Sequence, residues 1–360
     1  MNQSLEPRLT LAEVERFTFD VLLAAGADQP TSKAATRAMM HGTRFGVDSH
    51  GIRLLPHYVQ VLNGGRVNKA PNLKVANRFG AVASLDANHA HGALAAYEAM
   101  DLATDLADQF GIGAVAIRNT SHFGPAGAYS LHAAEKGFLG ITFCNSDSFV
   151  RLHDGAERFH GTNPISVAVP VSGDAPWLLD MATSAVPFNR VLLYRSLGLA
   201  LPPAVASDAD GVDTTDANAT EMLAPLGAAF GFKGAALAGV AEIFSAVLTG
   251  MRLSFDIAPM GGPDFATPRE MGAFVLALKP EAFVDQATFN AGMQRYLQQL
   301  RGSRPRDGAD VMAPGDREWR VAREREAAGV QLDPATSQAF SALAEQYGVR
   351  MPSSIDAPAS

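Results

Sequence analysis

Residues 112–124 read Ile112-Gly113-Ala114-Val115-Ala116-Ile117-Arg118-Asn119-Thr120-Ser121-His122-Phe123-Gly124. A short apolar run without proline is the pattern of a buried strand. It ends in an amide, two hydroxyls and an imidazole before a glycine, and ligands of α/β sheets sit at the carboxyl ends of strands. The same polar turn can instead serve only its own backbone, since Asn and Ser commonly do so. Working outward, residues 92–110 form an Ala-rich helical pattern behind a short strand at 82–85. A helix at 129–136 and a strand at 138–145 follow, then strands at 165–170, 177–181 and 272–278. Strands alternating with helices predict a layered α/β core.

The flanks are helical in pattern. Thr10 caps a helix from Leu11, with Glu13 at capping-box spacing and Val14, Phe17, Val21 and Leu22 on one face. Thr31 and Ser32 open a second helix that runs to Phe45, and a short helix at 56–62 stops at Gly64-Gly65. Residues 233–248 form a small-residue helix, and 289–300, 318–328 and 334–347 are helices. Stretches 201–218, 255–269 and 301–316 read as loops, and the last dozen residues as disordered.

The chain has 360 residues, 47% of them hydrophobic and 18% charged, enough for one large domain or two ordinary ones. A formal net charge of −8 argues against a nucleic-acid partner, which demands clustered Lys and Arg. Two small basic groups, at Arg301, Arg304 and Arg306 and between Arg317 and Arg325, read as solvated helix faces. The single cysteine, Cys144, lies in an apolar run and reads as a small buried hydrophobe. Residues 1–10 lack the apolar core of a signal peptide, and no run approaches a membrane span. The expectation is a soluble, cytoplasmic chain.

Chemistry concentrates in Asp48-Ser49-His50-Gly51-Ile52-Arg53. An imidazole gives or takes a proton near neutrality, and a guanidinium grips a carboxylate with two parallel bonds. The pair suits chemistry at the carbon beside a carboxylate. Leu179-Asp180-Met181-Ala182-Thr183-Ser184 delivers a carboxylate and two hydroxyls to a strand end, where Asp180 would steady a catalytic imidazole. Gly227 to Gly234 superficially resembles a phosphate loop but lacks the following Ser or Thr. Lys233 and Gly234 at a helix start still offer N–H groups, a dipole and a cation to an anion. Gly111-Ile112-Gly113 begins like a dinucleotide fingerprint but opens a strand where the motif must close one, so a conventional Rossmann turn is not expected. All nine histidines lie between His41 and His160. His89 and His91, spaced as two ligands on a strand, with His122, make a metal-dependent hydrolase the alternative reading, though no further ligand spacing accompanies them.

The motifs Asp48-Ser49-His50-Gly51 with Arg53, Asn119 to Gly124, Gly161-Thr162-Asn163-Pro164-Ile165, Asp180 to Ser184, Phe232-Lys233-Gly234 and Pro314-Gly315 occur together in this order. In these the chain resembles the malate/L-lactate dehydrogenase family, unrelated to the Rossmann lactate dehydrogenases, from the first helix to about Gly348. That family includes sulfolactate and ureidoglycolate dehydrogenases, diketogulonate reductase and Δ1-piperideine-2-carboxylate reductase. The resemblance implies a three-layer α/β/α fold with a mixed seven-stranded sheet that binds NAD or NADP without the glycine fingerprint. It implies a helical substrate and dimerisation region from residues 1–75 and 265–350, an NAD(P)-binding α/β domain from 76–264, and a disordered tail at 351–360. It further implies a homodimer with active sites near the subunit interface.

Carried over motif by motif, His50 is the expected proton donor, Arg53 the carboxylate clamp and Asp180 the support of His50. The cofactor would be lined by Ser49, His122, Thr162, Asp180, Met181, Thr183, Ser184, Lys233, Gly234, Pro314 and Gly315. Some relatives are described with the histidine at the His122 position as the acid/base, so His50 and His122 both stand as candidates. Two departures from the family pattern occur. Ala185-Val186-Pro187-Phe188-Asn189-Arg190 replaces a small-residue stretch with Gly and Lys, and Arg190 would favour a 2′-phosphate. Asp316 stands where Glu is usual and reaches about one methylene less far toward a ribose. The expected reaction moves a hydride between NAD(P)H and C2 of a small 2-oxo or cyclic 2-imino carboxylate. A non-catalytic NAD(P)H sensor is disfavoured, because Asp48, Ser49, His50, Arg53 and Asp180 are all present.

Overall fold

The structure, a computed structural model, describes residues 8–355. After a two-residue strand β1 (Arg8–Leu9), Thr10 Oγ1 accepts the Glu13 N–H at 3.2 Å and opens α1 (Leu11–Ala24). Glu13 does not return the bond as a full capping box would; its carboxylate binds Arg16, Arg350 and the Ser353 N–H. The helix α2 (Gln29–Arg44) begins two residues before the expected Thr31, because Asp28 takes the cap and Pro30 sits in the first turn. Two 3₁₀ turns, Asp48–His50 and Ile52–Leu54, lead into α3 (Leu55–Gly64).

The sheet region follows with β2 (Lys74–Phe79), β3 (Val82–Asp86), α4 (Gly92–Phe110), β4 (Ile112–Thr120), α5 (Gly127–Glu135) and β5 (Leu139–Cys144). Next come β6 (Val150–Arg151), β7 (Arg158–His160), β8 (Ile165–Val169), β9 (Trp177–Met181), α6 (Phe188–Leu197), β10 (Ala206–Ser207), β11 (Met222–Leu223), α7 (Phe232–Glu242) and β12 (Met271–Leu278). The chain closes with α8 (Gln286–Arg301), α9 (Asp316–Ala328), β13 (Val330–Gln331) and α10 (Pro334–Tyr347).

Seven strands pair in the order β2-β3-β4-β12-β5-β8-β9. Only β3 and β4 run parallel; every other neighbouring pair in this sheet is antiparallel, so the sheet is mixed. One face carries α4 and α5 over Val115, Ile117, Ala273 and Val275. The other carries a π-helical turn, Ile243–Val247, that continues α7 and stacks Phe244 on Phe143 and Phe274. The fold is the expected three-layer α/β/α arrangement. A separate core joins α1, α2, α3 and α10 around Phe17, Tyr58, Leu62 and Phe340.

Several expectations need correction. The boundary at residue 265 assigned β12 to the helical region, whereas it lies in the middle of the seven-stranded sheet. Its partners β4 and β5 are more than a hundred residues away in sequence, and local pattern carries no record of such pairing. Residues 201–218 are not simply a surface loop, since β10 pairs with β11 in a small four-stranded sheet. The tail is not free up to 355: Ser354 bridges Leu9 and the Ile355 N–H donates to Arg8 O at 2.8 Å. Residues 356–360 of the expected tail, and residues 1–7, lie outside the described residues.

Glycine sets how closely α4 approaches the sheet. A Cβ at Gly113 would stand 2.0 Å from Ala103 O and 2.7 Å from Leu106 Cβ. Overpacking a core costs ~1–3 kcal/mol, and here the clash is with backbone. Gly113→Ala is therefore expected to destabilise the fold by about 3 kcal/mol, read as a lower urea midpoint with unchanged slope. A midpoint equal to that of the unsubstituted chain would mean that α4 lifts freely.

Candidate active site

The 48–54 segment is seated on α2 by two close approaches. A Cβ at Gly42 would stand 2.6 Å from His50 O, and one at Gly51 would stand 2.5 Å from Thr43 Oγ1. That hydroxyl accepts the Ile52 N–H at 3.0 Å. Asp48 is forked by Arg325 of α9 at 2.5 and 2.9 Å, and Arg325 also reaches Thr43 O. The carboxylate of the motif therefore braces its loop. It leaves Ser49 and His50 side by side, with Ser49 Oγ 2.9 Å from His50 Nδ1.

The end of β4 brings the second imidazole to the first. His122 stacks on His50 with ring centroids 5.8 Å apart and 24° between planes. Its Nδ1 lies 2.9 Å from the hydroxyl of Tyr58, a buried residue of α3. Two neighbouring polar residues hold the local structure: Ser121 Oγ donates to Ala90 O and accepts the Gly92 N–H, and the Asn119 side-chain amide donates to the Asp86 carboxylate. Burial lowers the pKa of His50. It lowers that of His122 further, with help from the neighbouring His50, His57 and Arg269 charges. Desolvation favours the neutral imidazole in both. Burial raises the pKa of Tyr58, so its phenol keeps its proton.

The metal reading finds no support. His89 and His91 lie in a turn, not on a strand, and His91 Nδ1 caps α4 by accepting the Ala93 N–H. Among the described residues no group of three or more His, Cys, Asp or Glu is arranged to hold a metal ion.

Thr162, Thr183, Ser184, Lys233 and Gly234 gather around the end of β9 and the start of α7. The Thr183 N–H donates to Thr162 O at 2.9 Å, and its hydroxyl reaches Thr162 O and Asn163 O at 3.1 Å each. Thr183 O accepts the Leu226 N–H, and Ser184 bridges Pro225, which leads into α7 with Lys233 and Gly234. A Cβ at Gly234 would stand 2.2 Å from Leu226 O, so only glycine lets this turn lie against the helix start. Lys233 is exposed, its Nζ over the Phe230 ring at 5.3 Å. A helix start with a free cation and polar strand ends beside it fits the diphosphate of a dinucleotide. Glu242, absent from the sequence reading, anchors this cluster: its buried carboxylate accepts from Asn145, Asn163, the Ser254 N–H and the Ser254 hydroxyl at 2.6–3.1 Å.

Asp180, Met181, Arg53 and the Pro314-Gly315 turn are placed differently from one another. Asp180 Oδ2 accepts the Gly127 N–H at 2.9 Å; the partner of His50 Nδ1 is Ser49 instead. Met181 pairs with Ile165 across β8 and β9. Arg53 is half-exposed and sits 3.4 Å from Asp333, the cap of α10. Pro314 O accepts the Leu178 N–H, Gly315 turns at φ 95°, and Asp316 is forked by Arg301 at 2.6 and 3.0 Å. Arg190 is exposed on α6. Tyr58 and Arg269 were also missed by sequence reading, because neither carries a motif of its own.

Paired imidazoles at a strand end of a mixed sheet that lacks a fingerprint turn fit a dehydrogenase-type site outside the Rossmann class. The profile of the family described as malate/L-lactate dehydrogenase matches residues 9–341. The malate dehydrogenase of Pyrococcus abyssi is 30% identical over 351 residues, covering 95% of this chain and 96% of that protein. Hydroxycarboxylate dehydrogenase B of Escherichia coli K12 is 31% identical over 347 residues, covering 95% of each. The solved sulfolactate dehydrogenase of Methanocaldococcus jannaschii superposes with a TM-score of 0.89 at 28% identity, covering 96% of this chain and 98% of that one. The chain belongs to the malate/L-lactate dehydrogenase family. It is an NAD(P)-dependent oxidoreductase of the hydroxy-acid type.

Burial raises the Asp180 carboxyl from 3.8 to about 6, with Glu318 adding to the rise and the Gly127 N–H opposing it. Because the folded value lies above the unfolded one, its stabilising contribution is complete below about pH 4. That contribution is lost as pH rises through about 6. Asp180→Asn stays neutral and can still accept the Gly127 N–H. It is expected to melt above the unsubstituted chain at alkaline pH, by at most about 3 kcal/mol, and to converge with it in acid. A lower melting temperature at alkaline pH would show that the anion stabilises the fold.

Proposed function

We propose that His50 is the proton donor in hydride transfer to C2 of a small 2-oxo or cyclic 2-imino carboxylate. The observation that carries this reading is the stacked His50 and His122 pair, each with Nδ1 held by a hydroxyl, so that Nε2 of each is left for substrate. The Tyr58 phenol keeps its proton and donates to His122 Nδ1, which makes His122 a neutral Nε2–H donor that polarises the heteroatom. Ser49 can accept from or donate to His50 Nδ1, so His50 passes between its two charge states without losing its partner. Its pKa is depressed less than that of His122, which favours it as the acid.

Bound NAD or NADP would supply or accept the hydride at C2. Thr162, Thr183, Ser184, Lys233 and Gly234 would hold it, with Ser49, His122, Asp180, Met181, Pro314 and Gly315 along its length. Arg53, held at Asp333, would meet the incoming acid. Residues 1–75 with the C-terminal helices would form the substrate side, and the α/β region the cofactor side.

The reading is tested by following NADH and NADPH absorbance against pyruvate, oxaloacetate, sulfopyruvate and cyclic imines. His50→Ala is expected to lose about a hundred- to ten-thousand-fold in turnover while cofactor affinity, measured by fluorescence, holds. Reduction needs protonated His50, so its kcat/KM should fall as pH rises through a value below 6.5. Oxidation needs the neutral ring and should stay flat down to that value. Near-normal turnover in the variant would remove His50 from the mechanism.

A homodimer fits the exposed apolar stripe along α7 and its π turn, where Leu237, Val240, Ile243 and Val247 share one face and Val247 is 62% exposed. A stripe of this kind marks an association surface. Ile243→Asp with Val247→Asp is expected to give a monomer by light scattering; an unchanged dimer would place the contact elsewhere. Among the described residues no helix is long and apolar enough to cross a membrane.

A further inference from the structure

Arg269 is 2% exposed and stands two residues before β12, while His122 stands two residues beyond β4. Met271 pairs with Thr120, so these two residues leave the sheet side by side. Asp147, just past β5, lies on the other side of the same strand end, where Ala273 pairs with Cys144. The guanidinium of Arg269 donates through Nε to Ala258 O at 2.8 Å and through Nη2 to Asp147. Its Nη1 is buried and has no hydrogen-bond partner among the described residues. Asp147 uses its other oxygen to accept the Met260 N–H at 3.1 Å.

Charge does not balance here. A second guanidinium, Arg66, is also 2% exposed, and it bonds only the backbone carbonyls of Met260 and Asp264. The Asp264 residue itself is exposed. Two buried guanidinium groups thus face one buried carboxylate, Asp147, while the exposed Asp264 carboxylate acts on Arg66 from the solvent side. A buried charge without a partner is costly, and a buried N–H without an acceptor adds to that cost. An anion arriving beside His122 would relieve both.

We propose that Arg269 grips the substrate's carboxylate through Nη1 and so sets which face of C2 lies toward His50 and His122. This rests on the 2-oxo or 2-imino acid reading above and deepens it. It moves the clamp from Arg53, whose half-exposed side chain is held by Asp333, to a buried and preorganised donor. A planar fork with two arms fixed leaves the third in one orientation, which a lysine cannot reproduce.

The test compares the best acid of the panel with its C1 methyl ester, which keeps the C=O or C=N but not the charge. Arg269→Lys is expected to raise the acid's KM roughly 30-fold or more, the effect of truncating one half of a buried charge pair. The ester's KM and the cofactor Kd should stay close to those of the unsubstituted chain. Should that variant fold poorly, Asp147→Asn removes the competing carboxylate and is expected to lower the acid's KM but not the ester's. A purely bracing role would shift acid and ester together in both variants and overturns the proposal. So does Arg53→Lys abolishing the preference for acid over ester while Arg269→Lys retains it. If no acid in the panel is turned over, the dehydrogenase reading itself has failed, and the role of Arg269 falls with it.

Discussion

The arrangement of this molecule depends on β12 entering the sheet in reverse between β4 and β5. Because the inserted strand runs antiparallel to both neighbours, its beginning meets their ends. Polar residues that follow β4 and β5 therefore share one rim with residues that precede β12. His122, Asp147 and Arg269 come together for this reason alone, from positions far apart in the chain. Strand β12 pairs with β5 from Ala273 and with β4 from Met271, with an irregularity at Gly272. Gly272 lets the π turn of α7 close over the strand, since a Cβ there would stand 1.9 Å from Ser245 O.

The helical layer then supplies the other half of the site. Its 3₁₀ turns lie on α2 through glycine contacts, and Tyr58 reaches from α3 to the end of β4. Burial is the dominant electrostatic influence in this region. His41 and His91 are brought down to about 3 and His57 to about 4, each chiefly by desolvation. Such rings are neutral across the physiological range and act as packing and hydrogen-bonding groups. His91 shows this directly, resting edge-on against Tyr58 at 4.2 Å. The clustering of histidines in this part of the sequence thus reflects packing roles, as His91 and His57 show, and among the described residues no group is arranged to hold a metal ion.

Much of the architecture was legible in the residues. Amphipathic spacing located α1, and the apolar runs located β3, β4, β5, β8, β9 and β12 because each buries at least one face. Besides the two- and three-residue strands, two longer elements left no such trace. All six residues of β2 are exposed, so no alternation betrays it. Helix α6 buries Val191 and packs Phe188 and Tyr194 beside it but leaves Leu192, Leu193 and Leu197 exposed, so apolar residues fall all round it and blur the helical period. The motifs around His50, Asn119, Thr162 and Asp180 marked strand ends and turns correctly as places. What each side chain does there was less visible. Asp48 and Ser121 are spent on holding loops, and the Asp180 carboxylate on an α5 amide, because a buried polar atom takes whichever partner the packing brings nearest.

Sequence alone determined the type of the longer elements that bury one apolar face, the absence of a fingerprint turn, and the pairing of an imidazole with neighbouring polar groups in one short segment, because periodicity and turn chemistry are local properties. The tertiary structure decided the order of strands, the partner of each histidine and the charge balance beside His122. Those depend on backbone pairing and burial between residues separated by up to more than a hundred positions. No local pattern encodes which distant guanidinium or carboxylate will share a strand end.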